Sequence, residues 1–136
     1  MVYSGPIEDR IQIRELIETY NDAVFRRDVE DWKSTWMEES EWHIFGQVIK
    51  GRSDIVSMWK TAMQGFSYVG FFALPGAIDV SGGKAKATVY VRETIVQDGQ
   101  LRMVEGKYYD DLIKQDNSWR FQCRRYEIIF DSENQK

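Results

Sequence analysis

One cysteine, one histidine and two prolines in 136 residues close several routes at once. A lone Cys123 excludes an intrachain disulfide and reads as a small core hydrophobe, because one imidazole leaves little to activate a thiol nucleophile. His43 reads as a surface or rim side chain, with a general base at the pocket mouth as the alternative. With no Glu/Asp cluster at ligand spacing around it, a zinc or iron triad is not expected, so the expectation for metal and cofactor is none. Basic blocks are missing too. The 18 Lys and Arg are scattered among 22 Asp and Glu for a net charge of −4, which argues against a nucleic-acid surface. No apolar run approaches the ~20 residues of a membrane helix. The start, Met1 to Pro6, lacks a basic patch followed by an apolar stretch, so no signal peptide is read there and the cytoplasm is the default. Gly82-Gly83 is a hairpin turn rather than a phosphate cradle, and no serine sits in a Gly-x-Ser-x-Gly elbow.

Aromatic side chains are what the chain has in quantity: five Trp, seven Tyr and seven Phe, or 14%. A chain of this length fits one domain, taken as 1–136 with its core at about 7–130. So many rings in so short a chain imply either a tight core or a lined cavity.

Ser4-Gly5-Pro6 followed by Glu8 and Asp9 marks a helix start, and apolar spacing predicts a helix over about 7–26. Its stripe is Ile7, Ile11, Leu16, Tyr20 and Val24, widened by Ile13 and Ile17. Asp28, with Asp31 three residues on, caps a second helix whose apolar face carries Val29, Trp32 and Trp36. Glu41 to Phe45 reads as a strand. Ser53-Asp54 opens a third helix with Ile55, Trp59 and Met63 buried, and Gly65 ends it. Four long strands follow at about 66–80, 84–97, 100–115 and 118–130, separated by Ser81-Gly82-Gly83, Asp98-Gly99 and Asp116-Asn117. Gly70, Pro75-Gly76 and Gly106 are places for a kink or bulge. Asp131 to Lys136 looks like a polar tail. Three helices ahead of a long meander give an α+β class with helices on one sheet face.

The turns set a register. A two-residue Asp98-Gly99 loop puts Arg92 opposite Glu105 and Val91 opposite Gly106. A two-residue Asp116-Asn117 loop puts Leu112 opposite Phe121, Asp110 opposite Cys123 and Tyr108 opposite Arg125. The inner face then carries Val89, Val91, Glu93, Tyr108, Asp110, Cys123, Arg125 and Glu127. Tyr90, Arg124, Tyr126, Ile128 and Phe130 fall outside. A buried polar group of Tyr108, Asp110 and Arg125 must be paired, as a structural lock or around a ligand.

The order of elements resembles the nuclear-transport-factor-2-like fold. Within it the chain resembles the SnoaL-like group that includes scytalone dehydratase and hexachlorocyclohexane dehydrochlorinase. The matching residues are Tyr20-Asn21-Asp22-Ala23 with Asp28, then Trp36-Met37-Glu38-Glu39-Ser40-Glu41-Trp42 with Gly46 and Gly51. Further on they are Gly106-Lys107-Tyr108-Tyr109-Asp110-Asp111 with Trp119-Arg120-Phe121 and Arg125. The resemblance implies a cone-shaped α+β barrel, with three N-terminal helices on a strongly curved mixed or antiparallel sheet. Its eliminating enzymes use an Asp–His pair, and this chain has Phe25 and Phe71 at the corresponding positions. A carboxylate orients and charges an imidazole so that it can take a proton; two phenyl rings do neither.

The expectation is therefore a small-molecule pocket, of lyase or isomerase type, for a small apolar or cyclic compound. Asp110, Tyr108 and Tyr20 are the catalytic candidates, and Phe25, Trp42, Phe71, Val89, Val91, Glu93 and Arg125 the ligand-binding ones. A non-catalytic domain for a hydrophobic ligand is the alternative. A third reading is the accessory β-subunit of a ring-hydroxylating oxygenase. Homo-oligomerisation, as dimer or trimer, is expected through the outer sheet face.

Overall fold

The computed structural model describes residues 2–134; Met1, Gln135 and Lys136, part of the chain start and polar tail considered above, lie outside them. Helix α1 runs Ile7–Arg26, as the spacing predicts. Its buried face is Ile13, Ile17, Tyr20, Ala23 and Val24, while Ile7 and Ile11 are exposed. The stripe therefore begins one turn later than expected. In the first turn it is Asp9 that turns inward, accepting hydrogen bonds from Trp119 Nε1 and Lys114 Nζ, both at 3.0 Å. Pro6 rather than Ser4 is the N-cap, and no side chain caps it. Ser4 bridges instead to Asp79, its hydroxyl donating to that carboxylate.

Helix α2 (Val29–Ser34) is capped by Asp28, whose side chain accepts from the Asp31 amide at 3.0 Å. Trp36 starts strand β1 (Trp36–Ile44) rather than ending this helix, so the strand is longer than the sequence suggested. A short β2 (Gln47–Lys50), not foreseen, returns antiparallel to it. Helix α3 (Arg52–Gln64) buries Ile55, Trp59 and Met63 as expected. Strands β3 (Tyr68–Ser81), β4 (Lys84–Gln97), β5 (Gln100–Gln115) and β6 (Ser118–Asp131) form the long meander. The order β2-β1-β6-β5-β4-β3 makes one mixed sheet, because β1 runs parallel to β6.

The sheet bends where it is bulged. Register shifts fall between Pro75 and Ile78 and between Glu105 and Gly106, near two of the marked glycines. Gly106 has a steric reason as well: a Cβ there would collide with the Tyr126 ring. Under the curve, Tyr20, Trp32, Trp36, Trp42 and Trp59 form an aromatic core, with Trp32 and Trp59 stacked at 4.4 Å. Truncating a fully buried ring such as Trp32 costs about 3–5 kcal/mol.

One bulge changes the predicted faces. Leu112 pairs with Phe121 as expected, but Asp111, not Asp110, pairs with Cys123, leaving Gln122 as an extra residue on β6. Past it the alternation inverts. Arg124 and Tyr126 turn inward, opposite Asp110 and Tyr108, while Cys123, Arg125 and Glu127 lie on the other face. The inward placements of Cys123, Arg125 and Glu127, and the outward ones of Arg124 and Tyr126, are corrected accordingly. The presumed polar tail also begins late: Asp131 is buried and holds Arg102 at 2.6 Å. No described helix is long and apolar enough to cross a membrane.

Candidate functional site

Between α1, α3, β1 and the inner sheet face lies a cavity of about 380 Å³. That is within the range of small-molecule sites, roughly 300–1,000 Å³. Its walls are apolar: Val24, Ile44, Phe45, Trp59, Met63, Phe66, Val69, Phe71 and Ile95. Set among them are Tyr20, Trp42, Tyr108, Glu93, Gln97 and Arg102. Each strand contributes through its alternation. Glu93 and Ile95 point in from β4, Tyr108 from β5, and Trp42 and Ile44 from β1.

Glu93 is the polar focus. Among the described residues no cation lies within the 4.0 Å of an ion pair with it. Burial pushes its carboxyl up to about 7, against a smaller opposing pull from Arg102. Arg102 is fixed at the rim by Asp131, with hydrogen bonds of 3.1 and 2.6 Å, and by Glu133 at 3.6 Å. Across the cavity the Tyr108 hydroxyl accepts from Trp42 Nε1 at 3.1 Å. That bond leaves the tyrosine's own proton free to donate. Burial raises the Tyr108 phenol well above its ordinary value and Tyr20 to about 12, so both are proton-bearing donors at neutral pH.

Beneath this wall sits a buried ion pair. Arg124 donates Nε to Asp110 Oδ1 at 2.8 Å and Nη2 to Oδ2 at 3.0 Å. Its guanidinium stacks on Tyr108, Phe121 and Tyr20 at 3.8, 4.1 and 4.6 Å. The pair thus acts as a rigid backing for both tyrosines. Burial pushes the Asp110 carboxyl up while Arg124 pulls it down.

Of the predicted site residues, Tyr20, Trp42, Phe71, Glu93 and Tyr108 meet at the cavity. The others do not. Asp110 is sealed against Arg124 behind the wall. Val89 and Val91 are packed into the core. Phe25 is 40% exposed and packs on Phe72 of β3 at 5.1 Å, outside the cavity. Arg125 lies on the outer face against Asp111 at 3.0 Å, the consequence of the Gln122 bulge. Sequence reasoning missed Arg102 and Arg124. Arg102 was recoverable, since the β4–β5 register places it opposite Ile95. His43 is outside the cavity, with Nε2 at 3.0 Å from Glu41 Oε1.

Three helices packed on a curved six-stranded mixed sheet make an α+β cone around this apolar cavity. The SnoaL-like domain family matches residues 6–125, and the chain belongs to that family. No curated protein matches it in sequence. Among solved structures it is similar to a scytalone-dehydratase-like protein of Novosphingobium aromaticivorans. There the TM-score is 0.86 at 16% identity, over 96% of this chain and 90% of that one. It is also similar to the type 3 hexachlorocyclohexane dehydrochlorinase of Novosphingobium barchaimii, with TM-score 0.83, 17% identity and coverage of 93% and 90%. An aromatic-ring-hydroxylase-like protein of Novosphingobium aromaticivorans superimposes with TM-score 0.83 at 19% identity, covering 93% of each chain. At these identities the likeness is one of fold.

Proposed function

We propose that the cavity is the active site of a lyase- or isomerase-type enzyme for a small, largely apolar, ring-containing substrate. In this reading Glu93 is the general base and Tyr108 the donor to a developing oxyanion. The observation that carries the proposal is Glu93 itself, a carboxylate at an apolar wall, unpaired and poised at about 7. A base poised near the working pH combines a usable ionised fraction with real basicity, a contribution of about 10²–10⁴ in rate. Ionised Glu93 would take a proton from carbon next to a carbonyl. The Tyr108 hydroxyl, oriented by Trp42, would hydrogen-bond the oxygen as the electron pair moves onto it. Return of the proton to a different carbon gives an isomer; loss of a β-substituent gives an alkene. The dehydratase and dehydrochlorinase resemblances suit the second outcome.

A panel of cyclic and β-substituted ketones in deuterated buffer tests this by NMR. Wild-type protein should exchange or eliminate at carbon faster than buffer, and Glu93→Gln should not. Equal rates for both proteins would refute the role of Glu93.

One observation favours a non-catalytic alternative. Phe71, 4% exposed, occupies the cavity wall at the position where the resemblance implies a histidine. A pure binding domain would retain its ligand unmodified, and the same panel would then give saturable shifts without turnover. Homo-oligomerisation belongs to the proposal too; exposed Phe72, Leu74 and Tyr90 on β3 and β4 support it.

A further inference from the structure

We propose that Glu41, His43 and Cys123 form a binding site for a divalent transition metal of the zinc type, on the sheet face opposite the apolar cavity. Their carboxylate oxygen, imidazole nitrogen and sulfur all lie within 4.8 Å of one another. Glu41 and His43 stand two residues apart on β1 and share its outer face. Cys123 is the parallel partner of Glu41 on β6. The Gln122 bulge delivers the third ligand: with unbroken alternation from Phe121, Cys123 would face the core. Glu41 and His43 are neighbours along β1, but Cys123 is distant in the chain and joins them only through the β1–β6 pairing.

The donor set selects the ion. Oxygen, nitrogen and sulfur together suit a borderline cation such as Zn²⁺, whereas Ca²⁺ and Mg²⁺ take oxygen. Tetrahedral coordination with bonds of about 2.0–2.3 Å puts donor atoms roughly 3.2–3.7 Å apart. His43 Nε2 is already 3.0 Å from Glu41 Oε1, close to that spacing. A second observation points the same way. Cys123 is 6% exposed, unbridged, and hydrogen-bonded to nothing among the described residues, yet its sulfur is directed at the other two donors. The recess around it, about 650 Å³, carries Glu38, Glu39, Glu41 and Asp111 against Lys50 and Arg125, a field that attracts cations. Arg125 is itself engaged by Asp111. On binding, the thiol proton leaves as the S–Zn bond forms, and a water completes the coordination. The ion would tie β1 to β6, which run parallel.

The test is titration of the metal-free full chain with Co²⁺ and, in competition, Zn²⁺. One equivalent of Co²⁺ should give a thiolate-to-cobalt charge-transfer band in the near ultraviolet, and Zn²⁺ should bleach it. His43→Gln and Glu41→Gln, both partly exposed, should each weaken binding at least as much as losing an outer-shell partner, about 10–100-fold. Cys123→Ser should abolish the band. If that buried substitution prevents folding, the other two variants decide. Absence of the band in wild type, or undiminished affinity in both surface variants, would overturn the site. None of the three side chains lines the cavity, so either result leaves the enzymatic reading untouched.

Discussion

Arg124 grips both oxygens of Asp110, and each side chain is at most 1% exposed. A buried pair of this kind adds little net stability over apolar residues, but removing one partner strands the other charge at a cost of about 3–5 kcal/mol. Asp110→Asn should therefore lower the melting temperature sharply, and calorimetry at neutral pH would read it. Any loss of turnover should follow the unfolded fraction. An unchanged melt with abolished activity would return Asp110 to a chemical role.

Glu93 predicts a stability profile of its own. Its folded carboxyl titrates at about 7 against an ordinary 4.5. The folded state thus holds the proton more tightly, and the contribution is full below about 4.5 and lost as pH rises through about 7. The span is at most about 3 kcal/mol, less whatever cavity water screens. Wild type should lose stability to denaturant over that window relative to Glu93→Gln, which has no such proton to lose. Parallel pH profiles for the two proteins would contradict this.

Arg102 tests the electrostatics from outside the chemistry. Its charge holds Glu93 down, and Asp131 fixes it in place. Arg102→Gln should move the ascending limb of the pH–rate profile to higher pH, with a smaller effect on the rate at its plateau. A profile that scales uniformly without shifting would mean a structural role only.

Gly106 is needed for shape. A methyl group there would meet the Tyr126 ring, and forced overpacking costs about 1–3 kcal/mol. Gly106→Ala should lower thermal stability by that order, and Gly106→Ala combined with Tyr126→Leu should recover part of it.

These contrasts also explain what could be read from the chain. The β4–β5 register was legible because Asp98-Gly99 is a two-residue turn and the ladder runs unbroken from Gln97–Gln100 to Lys84–Ile113. The β5–β6 register started correctly at Leu112–Phe121 and failed one residue later, at Gln122. A bulge there has no compositional mark; it shows only in three dimensions, through Arg124 stacking on Tyr108 and Phe121. That single residue decided the candidate site. It moved the guanidinium from position 125 to 124, tied up Asp110 and left Glu93 as the free carboxylate. The helices were legible because Asp28 caps α2 and Gly65 closes α3 locally, while Ile7 and Ile11 misled because the first turn of α1 buries Asp9 and leaves them exposed.

The most direct measurement is a ¹³C NMR titration of the Glu93 carboxyl in protein labelled at glutamate, assigned with Glu93→Gln. The account predicts a midpoint of about 7, far from the ordinary 4.5. A midpoint at the ordinary value would mean a solvated side chain, and the general base would have to be sought elsewhere.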